Sequence, residues 1–391
     1  MRQAVIVSAA RTPIGSFNGV LSSLPATKLG SIAIGGALKK IDFRGDEVDE
    51  VIMGNVLSAG LGQAPARQAA LGASLPNSVG CTTVNKVCGS GLKAVMLANQ
   101  AIVAGDADVI VAGGMESMSN APYLLTKARA GYRLGHGELV DSMIRDGLWD
   151  VYHQFHMGEA AELCGEKLNI SREEQDQFTA TSYRRALEAQ QRGDFKREIV
   201  AIAVPEKGAE QLVEEDEEPK RLRLEKIPKL NPAFKRQGRV TAGNASSISD
   251  GAAALVVMLE EKAGTFGLRP LARIVGYSSF ATEPAMFTTA PTQAIFGLLK
   301  NCRCDLSDID LFEINEAFAV SSIAVNRELD LDPNKVNVRG GAVALGHPIG
   351  ASGARILTTL IHALEDLDLR RGVASLCIGG GEAVAMMIER V

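Results

Sequence analysis

The sequence is poor in cysteine and aromatic residues, has no surplus of positive charge and holds no long apolar run. Each shortage removes a class of protein. Six cysteines in 391 residues do not make a disulfide scaffold. In a reducing compartment they are free thiols, and free thiols serve as nucleophiles. Cys302 and Cys304 form a C-x-C pair, but no C-x-x-C or paired histidines complete a zinc set, so no metal is expected. A net charge of -5 gives no electrostatic footprint for nucleic acid or an anionic membrane. No apolar run approaches the roughly 20 residues of a membrane span. Ala4-Val5-Ile6-Val7 near the N-terminus reads as a short strand rather than the core of a secretion signal. A cytoplasmic location is the expectation.

What is present is the balance of a layered globular protein. Hydrophobic residues make up 46% and charged residues 22%, in a chain long enough for two or three packed units. Forty glycines stand beside only 5% aromatics, and the small residues cluster in short motifs where backbone must come close to a ligand or another backbone. Strand-like runs at Val48 to Met53 and Asp108 to Ala112 flank a helical pattern with Leu92, Val95, Met96, Ile102 and Val103 on one face. This alternation predicts an α/β fold.

An internal repeat runs through the chain. Glu50-Val51-Ile52-Met53-Gly54-Asn55 is echoed by Asp310-Leu311-Phe312-Glu313-Ile314-Asn315. Cys88 follows Asn55 by 33 residues and His347 follows Asn315 by 32, each ahead of a glycine-serine-rich helix start. Strands ending in Gly113-Gly114 and in Gly379-Gly380 come next. Duplicated halves packed face to face would bring both motif sets to one seam. Chance likeness of unrelated βαβ units is the alternative, and three landmarks in one order count against it. The stretch from about Ser119 to Ala245 lacks the repeat. It holds a helical segment, Ser171 to Arg192, opening with the capping-box pattern Ser171-Arg172-Glu173-Glu174. It also holds a charged run, Glu214 to Lys226, which reads as a solvated loop or, through Lys220, Arg221 and Arg223, as an anion contact.

Three glycine-flanked motifs carry candidate chemistry. Cys88 in Asn85-Lys86-Val87-Cys88-Gly89-Ser90-Gly91 stands at a strand-to-helix junction, where the glycines allow a tight turn and the helix dipole favours thiolate. It is a nucleophile or an inert packing thiol. His347 in Gly346-His347-Pro348-Ile349-Gly350 is a base for that thiol or a solvated loop histidine. Cys377 in Cys377-Ile378-Gly379-Gly380-Gly381 is a second proton-carrying thiol beside amides fit to hold an oxyanion, or a buried strand cysteine.

Taken together, and with Asn315-Glu316-Ala317-Phe318, these motifs resemble those of the thiolase family over essentially the whole chain. Val5-Ile6-Val7-Ser8-Ala9-Ala10-Arg11-Thr12-Pro13, Gly113-Gly114-Met115-Glu116-Ser117-Met118-Ser119 and Thr241-Ala242-Gly243-Asn244-Ala245-Ser246 match further family signatures. The resemblance implies a five-layered fold of two duplicated βαβ halves with an inserted loop domain. The first half would be residues 1–118 plus 249–268, the loop domain 119–248 and the second half 269–391. It implies condensation of two acetyl-CoA molecules to acetoacetyl-CoA through an acetylated Cys88. His347 would act as base for Cys88, Cys377 as base for the second substrate, Asn315 as holder of a water, and Gly379 as an oxyanion donor. CoA thioesters are then substrates, with no organic cofactor and no metal, and the assembly a homotetramer or a dimer.

The resemblance places Leu148, Ala242, Ser246 and Phe318 against CoA or the acyl group. His156-Met157-Gly158 is similar to the pocket segment of short-chain members, against a degradative 3-ketoacyl-CoA thiolase. Phe287 stands where bacterial relatives often carry methionine, which would reshape the acyl pocket. Glu159-Ala160, Ser247-Ile248-Ser249 and a shortened stretch around Lys220 and Arg221 depart from the family pattern. The last leaves either basic residue as the CoA phosphate contact. A β-ketoacyl synthase-like enzyme would carry histidine in place of the Cys377 motif, and a Cys–His hydrolase would leave the second thiol and the repeat unexplained.

Overall fold

The protein is described by a computed structural model over residues 2–206, 209–221 and 223–391. Its first strands are Ala4–Arg11 (β1), Glu50–Gly54 (β2), Gly80–Val84 (β3), Val109–Ser117 (β4) and Ser249–Leu259 (β5). Four more follow: Ala272–Ala281 (β6), Leu311–Ile314 (β7), Arg371–Ile378 (β8) and Glu382–Arg390 (β9). β1, β4 and β5 are buried at every position, as strands covered on both faces must be. The expected strand at 48–53 runs from 50 to 54, and the one at 108–112 continues to Ser117.

These strands form one sheet in the order β7-β8-β9-β6-β1-β5-β4-β2-β3. In the first half β2 runs parallel to β3 and β4, while β4, β5 and β1 pair antiparallel. In the second half β7 runs parallel to β8, while β8, β9 and β6 pair antiparallel. The counterpart of β3 is reduced to a single parallel bridge, Phe312 to Val336. Within the sheet, among the described residues, the halves join where Val5 faces Arg273 and Ile6 faces Ala272. The repeat in the sequence is therefore a repeat in space. Among the described residues, 119–248 adds no strand to this sheet.

Eight helices matter here: Ala26–Lys39 (α1), Pro65–Gly72 (α2), Ser90–Ala104 (α3), Met157–Lys167 (α4), Arg172–Arg192 (α5), Ala290–Cys302 (α6), Ala319–Glu328 (α7) and Ser352–Asp366 (α8). Leu29 and Ile34 of α1 and Ala69 of α2 pack on Val51, Val111 and Val256. Ile295 and Leu298 of α6 and Val325 of α7 pack on Phe312 and Val373. Between the halves, Leu92 and Val95 of α3 meet Ile356 and Leu360 of α8, with Ile110 and Leu376 on either side. With each half of the continuous sheet counted as a layer, helix, half-sheet, helix, half-sheet, helix is the resulting stack of five. Against the expectation of no such run, the stretch Val87–Ala104 passes by length and composition for a membrane span; the place of its helix in the central layer accounts for that composition.

Two glycines let that layer close. A Cβ on Gly91 would lie 2.7 Å from Ala354 N, and one on Gly353 would lie 2.4 Å from Leu92 N. Each helix start thus rests on the backbone of the other, next to Cys88 on one side and the His347 loop on the other. The capping box at α5 forms as expected: Glu174 N–H donates to Ser171 Oγ at 3.1 Å and Ser171 N–H to Glu174 Oε2 at 2.7 Å. The charged run 214–226 is mostly exposed, with Leu222 outside the described residues. Asp216 departs from the solvated reading. It is 1% exposed and accepts two hydrogen bonds from Arg11, at 2.7 and 2.9 Å.

Candidate active site

The turn that carries Cys88 differs from the expectation in two respects. Gly89 has an ordinary φ of -79°, and the strained residue is Val87, at φ 45°. A β-branched side chain in that region is costly and persists only where the surroundings enforce it. Cys88 does lie one residue ahead of the N-cap of α3, but the helix does not make it a resting thiolate. Burial pushes the thiol up to about 11, outweighing the opposing pull of the Gly379 and Cys88 amides on its sulfur. The same amides are placed to receive negative charge that appears only during reaction.

His347 is 6% exposed, so it is no solvated loop histidine. Its backbone N–H donates to Ser247 O at 3.1 Å, which ties it to the departing Ser247-Ile248-Ser249 segment. Its Nδ1 lies 2.5 Å from Ser352 Oγ, and the Ser352 hydroxyl donates its one proton to Pro348 O at 2.9 Å. Nδ1 must therefore carry the ring hydrogen. Nε2 is left as a lone pair with no partner among the described residues. Burial first, and the Arg355 charge second, push the imidazole down to about 3. A neutral base with its acceptor nitrogen free is the result.

Cys377 is 1% exposed at the end of β8, and burial together with the nearby Cys88 raises its thiol far above the ordinary range. It packs among Met157, Phe287, Ala317 and Phe318. Asn315, just after β7, is 2% exposed, and both its amide oxygen and nitrogen lack partners among the described residues. Such orphaned polar atoms are places for a water or a substrate group. All six cysteines are free thiols; Cys302 and Cys304 lie elsewhere, Cys304 facing Asp308 and Arg371.

Cys88, His347 and Gly379 line one cavity of about 600 Å³. Of the expected pocket residues, Leu148, His156, Met157, Arg221, Ala242, Ser246, Phe287 and Phe318 line it too. Lys220 does not; it is ion-paired to Glu215 in a larger open groove that holds neither reactive cysteine nor histidine. Ser246 gives both its N–H and its hydroxyl to Ala317 O, at 3.0 and 2.9 Å, joining the loop segment to Asn315-Glu316-Ala317-Phe318. His156 caps α4: its Nδ1 accepts from Gly158 N–H at 3.0 Å, leaving Nε2 as the ring donor. Glu159, a departure from the family pattern, completes this cap by accepting from His156 N–H at 3.3 Å.

Sequence reasoning missed Phe17, Met118, Phe234, Ile248 and Ile349 as cavity walls. Met118 and Ile349 stand inside recognised motifs and were within reach of that reading. Phe234 stacks on His156 at 4.8 Å, and neither it nor Phe17 has a local signal.

Comparison with known proteins agrees with this arrangement. Residues 4–261 match the family description "Thiolase, N-terminal domain" and residues 268–390 match "Thiolase, C-terminal domain". A Schizosaccharomyces pombe protein named acetyl-CoA acetyltransferase is 53% identical over 391 residues, covering 100% of this chain and 99% of that one. The crystal structure of the Bacillus anthracis acetyl-CoA acetyltransferase is 45% identical with a TM-score of 0.98, covering 100% of this chain and 99% of the other. A thiolase from Ascaris suum in complex with coenzyme A is also 45% identical, with a TM-score of 0.94 and full coverage of both chains. The chain belongs to the thiolase family.

Proposed function

We propose that this protein is an acetyl-CoA C-acetyltransferase, which condenses two acetyl-CoA molecules reversibly to acetoacetyl-CoA and CoA. One observation carries the reading: a neutral imidazole with a free Nε2 and a protonated thiol line one cavity, and the amides of Cys88 and Gly379 act on that thiol's sulfur. Cys88 sulfur attacks the thioester carbonyl of the first acetyl-CoA while His347 Nε2 takes the thiol proton. The tetrahedral oxyanion sits between the amides of Cys88 and Gly379. Its collapse expels CoA, which takes the proton of the Cys377 thiol, leaving acetyl-Cys88, a Cys377 thiolate and a protonated His347. A second acetyl-CoA then loses a methyl proton to the Cys377 sulfur. The enolate oxygen is held by His347 and by a water on Asn315, whose amide is unpartnered. Its carbon attacks acetyl-Cys88, the bond to the Cys88 sulfur breaks to release acetoacetyl-CoA, and His347 returns its proton to Cys88. Two thioesters supply both the leaving group and the acidic α-carbon, so the steps as written draw on no organic cofactor or metal.

Arg221 at the cavity mouth is the CoA phosphate contact in this reading, and residues 119–248 form the CoA-binding domain. A cytoplasmic homotetramer is the proposed form. Tyr123, Leu125, Leu134 and Leu139 are all more than half exposed in this chain, as residues awaiting a partner surface are. Cleavage of acetoacetyl-CoA by free CoA tests the function, run beside Cys88→Ala and Cys377→Ala. Loss in both, with acetyl found on wild-type Cys88 by mass spectrometry, supports it. Wild type that cleaves only longer 3-ketoacyl-CoAs would make the protein a degradative thiolase instead.

A further inference from the structure

Glu116 lies near the end of β4 and has no exposure to solvent. Its oxygens gather four hydrogen bonds from two distant loops. Oε1 accepts from Leu57 N–H at 3.1 Å and Asn55 Nδ2 at 2.8 Å. Oε2 accepts from Val56 N–H at 3.0 Å and Gly350 N–H at 2.9 Å. Asn55, Val56 and Leu57 follow β2 in the first half. Gly350 ends the His347 turn of the second half. One carboxylate oxygen therefore joins the two halves beside the reactive pair.

The fit at this link is tight. A Cβ on Gly350 would lie 2.6 Å from Glu116 Oε2 and 3.0 Å from Asn55 Cα. Ile349, the neighbour of Gly350, packs with Val56, Leu57 and Met118 in the cluster that touches Cys88. No cationic side chain bonds Glu116 among the described residues, so its charge is held by these four donors alone. A carboxylate buried without a cation is expensive to keep, and a purely packing role would be met by an apolar residue. Glu116 itself is not part of the cavity wall.

We infer that Glu116 is a positioning residue: it clamps the turn from His347 to Gly350 so that His347 Nε2 stays in reach of the Cys88 sulfur. This rests on the Cys88–His347 chemistry proposed above. Glu116→Asp keeps the charge but draws the carboxylate back by one methylene, too short to bond both loops. Gly350→Ala pushes the same turn away from the other side and serves if the first variant does not fold.

The test measures single-turnover acetylation of Cys88 by acetyl-CoA, followed by quenched-flow mass spectrometry, together with steady-state thiolysis. Glu116→Asp is expected to slow acetylation and kcat by about a hundredfold, the cost of roughly 1 Å of misplacement at a reacting pair. The KM for CoA should stay within about threefold, because binding contacts are left in place. Added to His347→Ala, Glu116→Asp should slow acetylation no further, since it acts through that residue. An equal extra loss in the His347→Ala background overturns the proposal, as does wild-type acetylation in Glu116→Asp. Wild-type enzyme unable to acetylate Cys88 at all would instead sink the underlying functional reading.

Discussion

The Cys88 thiol and the His347 imidazole face one cavity with their proton affinities pushed apart, the thiol up to about 11 and the imidazole down to about 3. They therefore rest as thiol and neutral base, not as a thiolate–imidazolium pair. Proton transfer has to accompany attack on the thioester, when the oxyanion donors come into use. Alkylation of free enzyme by iodoacetamide reads this state directly. Below its pKa a thiol gains about tenfold in thiolate for each pH unit. The rate at Cys88 should climb in that manner from pH 7 to 9. A flat profile across that range would reveal a preformed ion pair.

Ser352 sets which nitrogen of His347 is the base. Replacing it by alanine frees Nδ1 and lets the ring adopt the other tautomer, with Nε2 protonated and useless as an acceptor. Ser352→Ala should lose about 10- to 100-fold in kcat, within the range of general-base contributions, while CoA affinity holds. Ser352→Thr keeps a hydroxyl at Cβ and should recover part of the loss. Equal defects in both variants would assign Ser352 to packing instead.

The two halves and the meeting of Cys88 and His347 on one cavity were legible because backbone pattern and glycine spacing write them locally. Asn315 and His347 could be paired with Asn55 and Cys88 by counting alone. The protonation states could not, because burial arises only when α8 docks on α3, and the Ser352 bond only when the His347 turn takes its shape. The thiolate expected at Cys88 failed for that reason: dipole position is local, desolvation is not. Telling Arg221, the contact proposed above, from Lys220 likewise draws on the fold. The two are neighbours in sequence and both line the outer groove, yet Lys220 pairs with Glu215 while Arg221 also lines the cavity.

That choice is testable with CoA substrates. Arg221 is half exposed and held only loosely by Glu217, at 3.3 Å, so it is free to meet a phosphate. Arg221→Ala should raise the KM for acetoacetyl-CoA and CoA by about three- to tenfold, the net worth of one ordinary hydrogen bond, as expected of a half-exposed contact. The effect should shrink with added salt. Lys220→Ala should change neither constant. The reverse pattern would place the phosphates in the neighbouring groove.

Phe287 is 2% exposed and forms part of the cavity wall near Met157 and Phe318. A rigid ring there limits room beside the acyl carbon, whereas methionine is flexible and yields. Phe287→Met should raise the ratio of kcat/KM for 2-methylacetoacetyl-CoA over acetoacetyl-CoA by about tenfold, the scale of one methyl group in an apolar pocket. An unchanged ratio rejects the assignment of branch selection to this side chain.

The ion cluster around Arg11 is the stability counterpart of the active site. Its guanidinium gives Nε to Glu198 at 2.6 Å and both terminal nitrogens to Asp216, and it lies 5.1 Å over the Phe195 ring. All three charged side chains are without exposure or nearly so. They pin β1 to the segment 195–216, which the repeat does not include. Arg11→Met strands two buried carboxylates and should cost about 3–5 kcal/mol. For a chain of 391 residues that is a fall in melting temperature of about 5 °C by size scaling. Because Arg11 is outside the cavity wall, the protein that stays folded should keep its kcat. Neutralising the partners as well, with Glu198→Gln and Asp216→Asn, should restore part of the loss, since the stranded charges and not the missing attraction carry most of the penalty. A triple variant less stable than Arg11→Met alone would show that the carboxylates have found other donors.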